Sequence, residues 1–148
     1  MKHWLIKTEP EEWSWQDQVK SGKKGGEWNG VRNYQAANNL RKMQTGDKCF
    51  FYHTGKEKSI VGVAEVIQEA FLDRSDKTKK FVSVIIRALY PLKREVTLKE
   101  IKKNKDFADF SLVKQSRLSV MGVDLKYRKK YVRWVKFSNR KNIWLKKR

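Results

Sequence analysis

Few residues in this chain have both the type and the spacing that acid–base or nucleophilic chemistry requires. His53 stands beside Thr54 at the end of an apolar run, but no third group in the sequence can be named that would orient the imidazole. A histidine in such a position is more often structural. Residues 21–26 (SGKKGG) lack the spacing of a phosphate-binding loop, and residues 54–56 lack the first glycine of one. The sequence therefore argues against an enzyme.

The tryptophans offer a different chemistry, which is the stacking of a nucleobase on a flat ring. The chain has six, and four of them lie among the first 28 residues: Trp4, Trp13, Trp15 and Trp28. Part of this set must fill the core, because indole is large and apolar. Trp28 precedes Asn29-Gly30 in a loop-like segment, where a ring can be exposed and held rigidly. A base stacked there would gain about 1–3 kcal/mol, although core packing explains Trp28 equally well.

The charge of the chain favours a polyanionic partner. Thirty-five Lys and Arg stand against 16 Asp and Glu, which gives a net charge of +19. Nucleic acid is the commonest partner of so basic a protein, and a merely lysine-rich surface is the alternative. Residues 126–148 hold 11 of the basic residues and no acid. The residues expected there to contact phosphates are Arg140, Lys141, Lys146, Lys147 and Arg148.

Cysteine content and the amino terminus limit the other classes of function. Cys49 is the only cysteine, which excludes an internal disulfide. With His3 and His53 it would make a poor zinc site, so we expect neither a metal nor another cofactor. Only three apolar residues in a row precede Lys7, too few for a signal-peptide core. We expect a monomer without membrane association, cytoplasmic, or nuclear in a eukaryote.

Hydrophobic periodicity and capping patterns predict short strands mixed with short helices. Strands are expected at residues 3–7, 48–53, 60–70, 81–87 and 117–120. Residues 21–26 and 73–80 are predicted to be loops. Capping patterns place helix starts at Ser14, Asn33, Thr97 and Asp124. This pattern predicts an α+β domain with a mixed or partly closed sheet.

Six segments together resemble the EVE domain. They are WLIKTEP (4–10), WNGVRNYQAANNLRKM (28–43), GDKCFFYHTG (46–55), IVGVAEV (60–66), VTLKEIK (96–102) and QSRLSV (115–120). The resemblance implies a PUA-like fold, a small curved mixed β-barrel flanked by short helices, as in YTH, ASCH and SRA-type domains, whose pockets bind RNA or modified bases. The domain is then expected to span residues 1–137, with a basic tail at residues 138–148.

The resemblance also implies a pocket that holds a base. Lys7-Thr8-Glu9 stands where the family has Lys-Ser-Glu, and Trp28 stands where a cage aromatic is expected. The loop after Asp73 is shorter than is usual in the family, and Ala37 replaces a common arginine, which implies a more open pocket. The implied pocket residues are Lys7, Thr8, Glu9, Trp28, Asn29, Val31, Arg32, Asn33, Tyr34, His53, Thr54, Arg117, Leu118 and Ser119.

Together these features predict a non-enzymatic protein that binds DNA or RNA and inserts one base into the pocket. Because extracting a base from a duplex costs a few kcal/mol, single strands and modified or damaged sites should be preferred. A structural RNA-associated protein without base selectivity is one alternative. The other is an enzyme acting on a modified nucleotide, with His53 or Lys7 as its acid or base.

Overall fold

A computed structural model describes residues 2–124 and 126–127. Over these residues the chain forms one β-sheet with short helices between the strands, which confirms the predicted α+β class. The strands are β1 (His3–Thr8), β2 (Gly26–Trp28), β3 (Lys48–His53), β4 (Ser59–Leu72), β5 (Val82–Thr97) and β6 (Val120–Val123). The α-helices in this part of the chain are α1 (Trp15–Lys20), α2 (Tyr34–Lys42), α3 (Leu98–Lys103) and α4 (Ser111–Lys114), and single 3-10 turns cover Gly22–Lys24 and Lys105–Phe107.

The order of the strands brings two segments of the chain to one edge of the sheet. Across the described residues the order is β2-β5-β4-β3-β1-β6, a mixed sheet that does not close on itself. β1 runs parallel to β3, with Thr8 opposite His53, and antiparallel to β6. Parallel pairing sets the carboxyl ends of β1 and β3 side by side. The residues that follow Thr8 and those that follow His53 therefore lie close together.

Strands β4 and β5 form a long bent hairpin around the core. Their pairing shifts register at four places, and each such irregularity bends a strand and increases its twist. Gly62 on β4 allows the indole of Trp15 to pack directly on the backbone, since a Cβ there would lie 2.6 Å from the ring. The bent sheet thus closes over an aromatic core in which Phe51 is completely buried.

Local capping signals correctly predict where three helices begin. Ser14 with Asp17, and Thr97 with Glu100, form complete capping boxes at the starts of α1 and α3. The side chain of Asn33 accepts a hydrogen bond from the backbone N–H of Ala36 at the start of α2. Ala36 and Leu40 on one face of this helix are buried, as is Met43 at its C-cap.

Several predicted boundaries are wrong. The strand expected at 81–87 extends to Thr97, because β4 offers it a partner along its whole length. The strand expected at 117–120 begins only at Val120, where β1 provides a partner in Ile6. Residues 21–26 are not one flexible loop, since they contain a 3-10 turn and the first residue of β2. Of the helix expected after Asp124, only residues 126 and 127 belong to the described part of the chain, and Tyr127 is buried there.

Candidate nucleic-acid-binding site

A cavity of about 680 Å³ opens where β1 ends, beside the end of β2 and the loop that leads into α2. Nine of the predicted pocket residues line it: Lys7, Thr8, Glu9, Trp28, Asn29, Val31, Arg32, Asn33 and Ser119. Four further residues that were not predicted complete the lining: Glu12, Trp13, Glu27 and Gly30. The structure therefore gathers most of the predicted set around one space.

Lys7 is fixed at one side of the cavity. Its backbone N–H donates to the carbonyl of Ser119 (2.9 Å), which extends the pairing of β1 beyond the first residue of β6. Its Nζ donates to the carbonyl of Ser116 (2.9 Å) and lies 5.7 Å from the centre of the Tyr52 ring. Burial lowers the pKa of this lysine. The ammonium group is thus partly desolvated and bound to a protein carbonyl.

Thr8 and Glu9 build the turn that carries Trp13. The Thr8 hydroxyl donates to the carbonyl of Trp13 (2.8 Å), and the carbonyl of Glu9 accepts from the backbone N–H groups of Glu12 (2.9 Å) and Trp13 (3.0 Å). The Thr8 hydroxyl belongs to a residue that lines the cavity. Its proton is used inside the protein, so it offers a ligand only an acceptor.

The Glu9 carboxylate is oriented from behind by Thr54. The Thr54 hydroxyl lies 3.2 Å from Glu9 Oε2. Gly55 follows in the left-handed region (φ 77°), and a Cβ there would lie 3.0 Å from the same oxygen. A glycine is therefore needed at 55 both for the backbone conformation and for the space beside Glu9. Thr54 does not line the cavity, and it acts on the site through Glu9.

Trp13 supplies one aromatic wall that the sequence did not single out. This half-buried indole donates its N–H to Oε1 of Gln18 (2.8 Å), and Gln18 is fully buried, with its amide bound to the carbonyl of Ile86 (2.9 Å). The ring packs closely on Gly26, where a Cβ would lie 3.1 Å from Cζ2. Its orientation is therefore fixed before any ligand binds.

Trp28 supplies a second aromatic wall and also belongs to the core. Only 7% of its surface is exposed, and it contacts Phe51 edge to face, with ring centres 5.5 Å apart. Phe51 in turn contacts Trp15 in a similar way at 5.1 Å. Trp28 ends strand β2 rather than lying in a loop. The two interpretations of this residue are thus compatible, since it packs against the core and also lines the cavity.

Asp73 holds the rim of the cavity. Its Oδ2 accepts from the backbone N–H of Gly30 (2.8 Å) and from Nη1 of Arg32 (3.0 Å), and its Oδ1 accepts from the Ser75 hydroxyl (2.6 Å). Burial alone would raise the pKa of Asp73, but the hydrogen bonds from Ser75, Gly30 and Arg32 lower it to about 2. A buried carboxylate thus joins the lining segment to the next loop. The sequence pattern Asp-x-Ser at residues 73–75, which is typical of a turn closed by a side chain, is a local signal from which this role of Asp73 could be predicted.

Residues 73–80, here called the rim loop, are ordered by a second aspartate. Asp76 accepts from the hydroxyl and backbone N–H of Thr78, and from the backbone N–H groups of Lys80 and Phe81 (2.9 and 2.8 Å). The Thr78 hydroxyl bond is the main reason that the pKa of Asp76 lies well below its usual range. The rim loop carries four exposed cationic side chains: Arg74, Lys77, Lys79 and Lys80.

Five predicted pocket residues, Thr54 among them, do not line the cavity. Tyr34 is 61% exposed and packs on Phe81, and Arg117 is exposed on the turn before β6. Leu118 is buried in the core rather than lining the cavity. His53 is also buried; its Nε2 accepts from the backbone N–H of Trp15 (3.0 Å), and Nδ1 lies 3.2 Å from Glu57 Oε1. His53 therefore holds the start of α1 rather than contacting the cavity.

The electrostatics of the cavity differ from those of the whole protein. Its lining contains three carboxylates, from Glu9, Glu12 and Glu27, against the cations of Lys7 and Arg32. In residues 2–124 and 126–127, no group of three or more His, Cys, Asp and Glu side chains is placed to hold a metal ion. No helix in these residues is long and apolar enough to cross a membrane.

Comparisons with known proteins agree on the family and the fold. The model of the EVE domain matches residues 2–134. Human thymocyte nuclear protein 1 is 34% identical over 124 residues, which cover 68% of this chain and 55% of that protein. The chain thus spans about half the length of this curated relative.

Two solved structures match nearly the whole chain. The NMR structure of Rpa0253 from Rhodopseudomonas palustris superimposes with a TM-score of 0.85 at 43% identity and covers 94% of both chains. The human THYN1 protein, crystallised in complex with DNA containing 5-methylcytosine, has a TM-score of 0.81 at 28% identity and covers 91% of this chain and 98% of that one. These matches confirm the predicted resemblance and the PUA-like fold, although the described strands form a bent open sheet rather than the small barrel that was expected.

Proposed function

Because this chain belongs to the EVE domain family, we propose that it binds nucleic acid and reads a modified or flipped-out base in the cavity at the end of β1. One observation carries this proposal. Two indoles, those of Trp13 and Trp28, are fixed by the protein on the walls of a single open cavity. A relative of the same fold has been crystallised with DNA containing a modified base.

The dimensions and chemistry of the cavity suit a nucleobase. Its volume of about 680 Å³ falls in the range of roughly 300–1,000 Å³ that small-ligand pockets occupy. Stacking on an aromatic ring is worth about 1–3 kcal/mol for each base. The carboxylate of Glu9 and the hydroxyl of Thr8 supply acceptors for hydrogen bonds from the edge of the base. Selectivity then comes from contacts that phosphates do not make.

Phosphate contacts are assigned to basic residues outside the cavity. The exposed cations of the rim loop lie in the segment that Asp73 joins to Gly30 and Arg32, and one of them, Arg74, lies 3.9 Å from Glu27 of the cavity lining. The tail cations predicted for the same role, Arg140, Lys141, Lys146, Lys147 and Arg148, lie outside the described residues, and their role stays a prediction. Phosphate contacts position a strand and supply affinity that depends on salt.

The alternatives receive less support. In an enzyme His53 would have to reach a substrate, but this histidine is buried and bonded to the backbone of Trp15. Lys7 lines the cavity, yet its Nζ already donates to a carbonyl. A base-insensitive RNA-associated protein would need no ordered aromatic cavity. We therefore retain the non-enzymatic reader, and the monomeric state and the cytoplasmic or nuclear compartment stay predictions.

The test is a binding screen with single-stranded oligonucleotides that each carry one modified base, at fixed salt. We expect one class of modified base to bind more tightly than the plain strand. Trp13→Leu should weaken that binding by about 1–3 kcal/mol, because a stacking surface is lost. Tyr34→Leu is the matched control, since Tyr34 is an exposed aromatic that does not line the cavity.

Melting temperatures of both variants should be measured with the binding, so that a loss of fold is not read as a loss of stacking. Retention of the parent's discrimination by a folded Trp13→Leu protein would contradict the proposal. So would an equal loss in the Tyr34→Leu protein.

A further inference from the structure

The cavity is acidic, although the protein around it is strongly basic. The chain as a whole has a net charge of +19, yet three glutamates against two cations give the cavity lining a formal net charge of −1. A site that bound phosphate groups would show the opposite sign. The charges of the lining thus favour a ligand that donates hydrogen bonds or is itself positively charged.

Both cations of the lining already donate to acceptors within the protein. Arg32 is committed to Asp73 and to the hydroxyl of Ser75 (3.0 Å each), so its charge is largely balanced by a buried carboxylate. Lys7 donates to the carbonyl of Ser116.

The carboxylates are less constrained. Glu12 is exposed at the rim of the cavity, and Glu9 accepts one hydrogen bond from Thr54. Glu27 makes one long ion pair, 3.9 Å from Arg74. Negative charge is therefore the part of the lining that remains available to a ligand.

We propose that the cavity prefers a cationic nucleobase, one alkylated on a ring nitrogen so that it carries a positive charge at neutral pH, over its neutral isomers. The inference rests on the proposed function, since it names which class of modified base enters the same cavity. Two indoles and three carboxylates form the environment in which a flat cation is most stable. The indole faces attract the charge through their quadrupoles, and the carboxylates accept charge-assisted hydrogen bonds.

The test compares methylated isomers that differ in the site of the methyl group, one of which binds an additional proton and is therefore cationic at neutral pH. Single-stranded oligonucleotides carrying one 3-methylcytosine or one 5-methylcytosine form the first pair, and 1-methyladenine with N6-methyladenine forms the second. At neutral pH and fixed salt we expect the cationic isomer of each pair to bind on the order of tenfold more tightly. The preference should disappear when the pH exceeds the pKa of the alkylated base, because the ligand is then neutral.

A pair of neighbouring glutamates provides the matched control. Glu12→Gln removes a carboxylate from the lining, whereas Glu11→Gln removes the same charge from an adjacent exposed residue outside it. Glu12→Gln combined with Glu27→Gln should reduce the preference to about threefold or less, while Glu11→Gln leaves it unchanged. All three side chains are exposed in whole or in part, so the fold should tolerate the changes.

The outcomes separate this inference from the function on which it rests. Equal or tighter binding of the neutral isomer, with binding still lost in Trp13→Leu, would overturn the charge preference. The proposed recognition of a base in the cavity would still stand. An undiminished preference in the Glu12→Gln, Glu27→Gln protein would also overturn it. If no modified strand binds differently from the plain one, both the charge preference and the proposed recognition of a modified base are wrong.

Discussion

The cavity and the rim loop are joined through one buried aspartate, and they have opposite character. The cavity is lined by two tryptophans and more carboxylates than cations, whereas residues 73–80 carry four exposed cationic side chains. Asp73 connects them, since it binds Gly30 and Arg32 on one side and Ser75 on the other. Under the proposed function, this contrast keeps phosphates outside the cavity in which a base is read, and affinity and selectivity are expected to depend on different residues.

The largest loss of stability and of discrimination between strands should follow from removing Asp73, which connects the cavity to the rim loop. Asp73→Ala leaves the N–H of Gly30 and the Ser75 hydroxyl without their acceptor, and it removes the partner of Arg32. We expect a loss of about 1–3 kcal/mol in the free energy of unfolding, measured by urea denaturation, together with weaker discrimination between modified and plain strands.

Asp76→Ala tests the rim loop without changing a contact to the cavity. It removes an equivalent acceptor from the rim loop but no contact to the cavity lining. We expect this variant to lose stability and to keep its discrimination. If both aspartate variants discriminate as the parent does, the cavity does not depend on its rim.

A smaller effect should appear in acid. The pKa of Asp73 is about 2 in the folded protein and 3.8 as an ordinary value. Because the folded pKa is the lower one, the carboxylate stabilises the fold above about pH 4, and this contribution is lost as the pH falls toward about 2. Its size is on the order of 2 kcal/mol. Thermal or urea unfolding of Asp73→Asn between these values should therefore show a shallower dependence on pH than the parent.

Glu11→Gln is the control for this experiment, since Glu11 is exposed and belongs to neither region. An identical pH dependence in the parent and in Asp73→Asn would show that Asp73 does not hold its charge as described.

Much of the fold follows from local sequence signals. The capping boxes at Ser14 and Thr97 and the bounds of β3 depend on residues within a few positions of one another, so they could be predicted. The position of β6 could not, because the strand starts where β1 provides partners more than 100 residues away. The length of β5 was missed for the same reason, since β4 determines it.

Prediction of the site residues also depended on whether their signals were local in the sequence. Lys7, Thr8 and Glu9 were placed by resemblance to a family motif, and the structure puts them at the cavity. Trp13 could not be distinguished from the core tryptophans, since its role depends on Gln18 below it and on Gly26.

There is a physical reason why some predicted pocket residues do not line the cavity. Tyr34 follows the lining residue Asn33 in the sequence, and His53 lies opposite the lining residue Thr8 in the sheet. The start of α2 and the pairing of β3 nevertheless direct their side chains elsewhere. The family resemblance predicted the region correctly and the individual contacts less well.

The central claim, that the cavity supplies selectivity and the basic surface supplies affinity, is tested most directly by one titration series. Dissociation constants for a preferred modified strand and its plain counterpart are measured across a range of salt concentrations. The proteins are the parent, Trp13→Leu, and a rim-loop variant in which Lys77, Lys79 and Lys80 are replaced by Gln. A matched variant with Lys99, Lys102 and Lys103 of α3 replaced by Gln controls for net charge.

We predict that the rim-loop variant lowers the slope of log affinity against log salt by up to about 2, since each lost phosphate contact on a single strand contributes roughly 0.7. Its ratio of modified to plain binding should stay that of the parent. Trp13→Leu should keep the parent's slope, but its affinities for the modified and the plain strand should become similar. The α3 variant should lower the slope less than the rim-loop variant does. A rim-loop variant that no longer prefers the modified strand, or a Trp13→Leu protein that prefers it as the parent does, would contradict the account.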